Sequence, residues 1–131
     1  MLVIKNLDWF EILEKISSFS TSEQAKNQAL LIKPLANSNL AQNSFYEIEC
    51  ASAILASGIR PHMESLDLFS TWITRVKKNA VLKPLELKDV RHFCHEVIAL
   101  KEALKDQNTA WALDLYEKLM SAEEPLSIID N

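Results

Sequence analysis

The densest group of chemically capable side chains in the chain is "RHFCHE", Arg91 to Glu96, where two histidines, a cysteine and a glutamate stand within six positions. Imidazoles and a thiolate are zinc ligands, and a thiolate beside an imidazole is a nucleophile with its base. Either use requires the side chains to converge, so the element that carries them decides the matter. The apolar spacing predicts a helix. At 100° per residue Val90, Phe93, Cys94, Val97, Leu100 and Leu104 gather on one arc, while His92 and His95 fall roughly 130° to 170° from its centre. Cys94 is thereby assigned to the core and both histidines to water. His92 and His95, at i and i+3, supply two metal ligands where a site needs at least three. H-E-x-x-H is also missing, because Ala99 stands where the second histidine would be.

The remaining candidates are weaker in the same way. Glu123 and Glu124 are adjacent and diverge on a helix, which argues against a paired-carboxylate site, and His62 has no acidic or cysteine partner in its motif. Arg75, Lys77, Lys78 and Lys83 form a small basic patch that offers weak phosphate contact. Lysines in the last turn of a helix suit its dipole equally well, and a phosphate-tracking face needs a longer basic stripe. No catalytic, cofactor-binding or metal-ligating residue is assigned, and no cofactor is expected.

Composition narrows the function classes further. One glycine in 131 residues is far below the usual proportion of about 7%. A phosphate-cradling loop of either common kind needs more than one glycine, so Gly58 alone builds neither. Glycine-poor chains are also ill suited to hairpin-rich β folds. Net charge is −4, from 14 basic and 18 acidic residues, so no overall positive field draws the chain to nucleic acid or an anionic membrane. Cys50 and Cys94 have no paired spacing and read as reduced core thiols. With no apolar run of about 18 residues, the expectation is a cytoplasmic, all-α, single helical domain over 1–131, a bundle of about six helices.

The elements are punctuated by local signals. Asp8 with Glu11 suggests a capping box, and Leu7 with Ile12 a hydrophobic staple, for a first helix whose inner face is Trp9 or Phe10, Leu13 and Ile16. Ser20 and Glu23 suggest the start of a second helix, with Ala25, Ala29 and Ile32 on one face and a stop at Pro34. A third runs from near Ser38 through Phe45, Ile48, Ser52 and Leu55 to Gly58, and residues 59–65 form the longest loop. The fourth carries Leu66, Phe69, Ile73 and Val76 on one stripe. The fifth opens at Pro84 and reaches about Leu104. A sixth starts near Asn108 or Thr109 and ends before Pro125. It is apolar on two sides, Trp111, Ala112, Leu115 and Leu119 on one and Leu113, Tyr116 and Met120 on the other. That surplus suggests a protein contact through Trp111, Leu113 or Tyr116 and weak self-association.

The succession "LDWFEILEKISSFSTSEQAKNQALLIKPL", "SFYEIECASAILASG" and "NAVLKPLELKDV" resembles the N-terminal region of the MutS-two proteins, bacterial paralogues of mismatch-repair MutS. The resemblance rests on Leu7, Ile12, Leu13, Ser22, Ala25, Ala29, Pro34 and Leu35, and later on Val81, Leu82, Pro84, Glu86 and Leu87, in order and at family spacing. The chain departs from the family where "HMES" follows Pro61 and where "KNA" precedes Val81. The resemblance implies an N-terminal helical segment of a longer protein, without activity of its own. Its parent would be a homodimeric, DNA- or ribosome-binding ATPase, often with a nuclease domain, linked to restraint of recombination or rescue of collided ribosomes. The remainder of that parent is then the natural partner, and no membrane is involved. The alternative is a free-standing helical protein-interaction module. A metal-dependent enzyme on His92, His95 and Glu96 ranks last.

Overall fold

The computed structural model describes residues 8–131, which hold seven α-helices and no strand. The protein is all-α. No helix among the described residues is long and apolar enough to cross a membrane. By its internal contacts the chain divides into two compact units, one up to Pro34 and one from Leu35 to Asn131.

The first unit pairs α1 (Trp9–Ser18) with α2 (Glu23–Leu30). Its inner row is Trp9, Leu13 and Ser17, at i, i+4 and i+8, with Leu13 and Ser17 buried. Ile16 and Phe10, expected on that face, are exposed. The small Ser17 and Ala29 let the two helices approach closely, and the Ser17 hydroxyl remains satisfied by donating to Lys26 O at 3.2 Å. Trp9 Nε1 donates to Ile32 O at 3.1 Å, tying the end of the unit to its start.

The expected capping box at Asp8 does not form. Asp8 has φ 48° and its side chain accepts no bond from the first turn, since a capping side chain needs extended backbone to reach the N2 or N3 amide. Leu7, half of the expected staple, lies outside the described residues. α2 is capped by Ser22 rather than Ser20. The Ser22 backbone is extended and its Oγ accepts from Ala25 N at 3.1 Å. Ala25 and Ile32 are exposed, leaving Ala29 as the buried residue of that face. The helix ends at Leu30, ahead of Pro34.

In the second unit α3 (Ser38–Ala56) is capped by Asn37, whose Oδ1 accepts from Leu40 N at 3.0 Å. After Ser57 the chain turns through Gly58 at φ +84°. Nothing lies within 4 Å of where a Cβ would sit there, so only the left-handed backbone opposes a side chain. Gly58→Ala is therefore expected to cost about 1 kcal/mol. It should appear as a lower urea midpoint with an unchanged slope, and Gly58→Asn should cost less.

The longest connection among the described residues, 57–65, leads into α4 (Leu66–Lys77). α5 (Pro84–Lys105), α6 (Ala110–Lys118) and α7 (Glu123–Asp130) follow. α5 is the hub. Phe93, Cys94 and Val97 pack with Ala122 against Leu66, Phe69 and Trp72 of α4 and Leu126 of α7. Leu104 joins Ile54 of α3 and Ala112 of α6 in a second cluster that Leu100, Trp111 and Leu115 extend. The arc read from the sequence of α5 is thus its core face.

Two differences are informative. On α4, Trp72 takes the inward place expected of Val76, which is 45% exposed. Its ring centroid lies 4.6 Å from that of Phe69 and 5.9 Å from that of Phe93, and a large aromatic group gains more from burial than a valine would. The expected sixth helix forms as α6, ending well before Pro125, and a seventh helix that was not expected follows it. α6 stops where Leu119 becomes extended, and α7 carries Pro125 in its first turn, where a missing N–H costs no helical bond. Ala122, fully buried, forms the elbow between them.

Candidate functional site

The side chains of "RHFCHE" separate as their helix requires. Cys94 is 1% exposed on the core face, and burial pushes its thiol up from the ordinary value, which disfavours the reactive thiolate. His92 and His95 are exposed on the other side of α5. All three histidines nevertheless line one open pocket of about 470 Å³, because the loop after Gly58 brings His62 beside His92 and His95. Among the described residues no group of three His, Cys, Asp or Glu side chains is gathered closely enough to hold a metal ion.

Glu96 has a structural task that the sequence did not disclose. Its side chain is only 9% exposed. Its carboxylate accepts from Glu64 N at 3.0 Å, from Ser65 N at 3.2 Å and from the Ser65 hydroxyl, and Oε1 lies 3.3 Å from His92 Nε2. Ser65 is buried and precedes α4. A carboxylate from another helix thus satisfies the amides of the two residues that lead into α4, close to its N-terminus, where negative charge also favours the helix dipole. The partners are 31 and 32 positions apart, outside any local capping pattern. The one available signal was an acid at the edge of a core arc.

The basic patch is partly committed elsewhere. Arg75 Nε lies 2.9 Å from Glu86 Oε1, and its Nη2 donates to Val81 O at 3.0 Å, closing the turn between α4 and α5. Lys83 N donates to Glu86 Oε2 at 2.7 Å at the start of α5. The side chains of Lys77, Lys78 and Lys83 are exposed. Near the other end of the unit, Ser121 Oγ donates to Glu123 at 2.9 Å. A backbone N–H and this hydroxyl hold the Glu123 carboxyl below its usual range.

The aromatic residues expected to meet a partner are used inside the unit. Trp111 and Tyr116 pack on the Ile54, Leu104 and Ala112 cluster, and Lys101 Nζ sits 4.7 Å from the centre of the Tyr116 ring. Leu113 and Met120 stay outside, 50% and 45% exposed.

One unspent apolar row is on α3. That helix packs through Cys50 and Ile54, whereas Phe45, Ile48 and Leu55 are 65%, 56% and 57% exposed. With Ala41 and Ser52 these residues recur at intervals of 4, 3, 4 and 3, the spacing of a two-helix seam. Leu55 also forms one wall of a cleft of about 300 Å³ between α3, α5 and α6. Pro61, Leu100, Trp111 and Leu119 contribute to its lining, which contains no charged residue. No family model matches the chain, and no curated protein or solved structure proved similar to it.

Proposed function

We propose that this chain is a non-catalytic helical scaffold that docks against another polypeptide through α3. The observation that carries the reading is the outward row Phe45, Ile48 and Leu55, which lies at regular helical intervals rather than scattered. The resemblance to MutS-two N-termini nominates the partner, the remainder of such a parent in the cytoplasm. In that setting the scaffold couples a dimeric ATPase to the parts that engage DNA or ribosomes. A free-standing interaction module would use the same face for a different protein.

The experiment is co-elution of the 131-residue chain with a MutS-two core-and-ATPase fragment lacking its own N-terminal helices. A 1:1 complex is expected, and Ile48→Glu should weaken it at least about tenfold, as loss of a central apolar contact does. Because Ile48 is 56% exposed, the same substitution should change stability by no more than about 0.5 kcal/mol. Separate elution at high micromolar concentration would rule out the MutS-two assignment.

A further inference from the structure

From the charge and exposure of residues 75–88, where α4 ends and α5 begins, we infer that this turn is a docking surface for an acidic polypeptide segment that carries apolar anchors between its carboxylates. The surface is separate from the row on α3 and goes beyond the role proposed above. The stretch holds five of the chain's 14 basic side chains and one of its 18 acids, a local charge of +4 in a chain of −4. That one acid, Glu86, is spent on Arg75 at 2.9 Å, and its side chain is 16% exposed. Lys77, Lys78, Lys83 and Lys88 are exposed and have no ion-pair partner among the described residues. Asp89, which follows, is half-buried, and Asp130 is paired with Arg91 at 2.6 Å.

Apolar exposure coincides with this charge. Val81 and Leu85 are 86% and 76% exposed, the highest values of any large apolar side chain among the described residues. They stand on a turn that is already fixed: Asn79 takes φ 53°, Ala80 N donates to Arg75 O at 3.0 Å, and Arg75 Nη2 donates to Val81 O at 3.0 Å. A partner is spared the cost of ordering it. Charge then selects among occupants. At physiological salt charges are screened over about 8 Å, so a short segment seated on the turn meets the lysines and little of the acidic remainder of the chain. An anionic bilayer or a DNA duplex extends past the turn and meets that remainder as well, and a phosphate backbone offers nothing to Val81 and Leu85.

The test titrates the full chain into three fluorescein-labelled peptides of about 12 residues and reads fluorescence anisotropy. One sets two leucines among glutamates, the second sets them among lysines, and the third keeps the glutamates with serine in place of leucine. The first is expected to bind at least about tenfold more tightly than either of the others. In about 1 M salt its advantage over the lysine peptide should fall below about threefold. Lys77→Glu with Lys83→Glu should turn the preference toward the lysine peptide, and Val81→Ser with Leu85→Ser should remove the advantage of leucine over serine, each with an unchanged circular dichroism spectrum. Ile48→Lys, on α3, should leave binding intact. Equal affinity for the three peptides, or no binding at about 1 mM, would overturn the inference and leave the α3 reading untouched. Binding that Ile48→Lys removes would also overturn it, by moving the contact to α3. So would association with phosphatidylserine vesicles or a DNA duplex in place of the acidic peptide.

Discussion

Phe93→Ala is expected to destabilise the protein by about 3–5 kcal/mol, a large share of the roughly 5–15 kcal/mol that holds a domain folded. Phe93 is 8% exposed and stands where α4, α5 and α7 meet, its ring centroid 5.5 Å from that of Phe69 and 5.9 Å from that of Trp72. Truncation leaves a void that three helices cannot close without breaking the contacts of the two remaining rings. The comparison that isolates packing is Phe45→Ala. The same atoms are deleted from a ring 65% exposed on α3, and the expected change stays within about 0.5 kcal/mol. Urea denaturation followed by circular dichroism reads both. Equal losses for the two variants would show that the α3 row is covered within the folded chain.

Glu96→Ala is expected to cost about 2–3 kcal/mol, more than any other exchange of a charged residue by alanine among the described residues. Its carboxylate accepts from two backbone amides and the Ser65 hydroxyl, and removing it leaves these donors, close to the α4 N-terminus, without their acceptor. Glu96→Gln should be intermediate, because the amide keeps one oxygen but turns an N–H group toward donors. Hydrogen exchange supplies the local reading: the Ser65 amide should lose protection in Glu96→Ala more than amides in α6 do. Replacing His92 and His95 by alanine should leave stability within about 0.5 kcal/mol, since both are exposed and the Glu96 carboxylate keeps its donors from Glu64 and Ser65 without His92. If the histidine variant lost as much stability as Glu96→Ala, the imidazoles and not the amide acceptor would be holding the loop.

Glu96 also marks the boundary between local and tertiary information. Part of what acts within one turn was legible in the residues. Thr109 accepts from the amide three positions on, Pro84 opens α5, and Gly58 takes the left-handed conformation that ends α3, whereas the caps expected at Asp8 and Ser20 do not form. The core arc of α5 was legible too, because a helix packed along much of its length must present one continuous apolar face. The histidines and Cys94 fall on opposite sides of α5 as a consequence of that single periodicity.

Which apolar row meets a neighbour was a different question. On α3 two rows compete, and Cys50 with Ile54 is buried while Phe45, Ile48 and Leu55 is not. On α1 the small Ser17 lies inside and Ile16 outside. Hydrophobicity ranks side chains by what they gain if buried, but the interhelical distance and the shape of the facing surface decide which side chains can be buried. The capping acid of α4 obeys the same limit. The chain determined by itself that it would be helical and where most of its helices would begin and end. Only the packing of α5 against the loop before α4 could place Glu96 over the Ser65 amide, because hydrogen-bond geometry is satisfied in space and carries no mark in a sequence separation of 31.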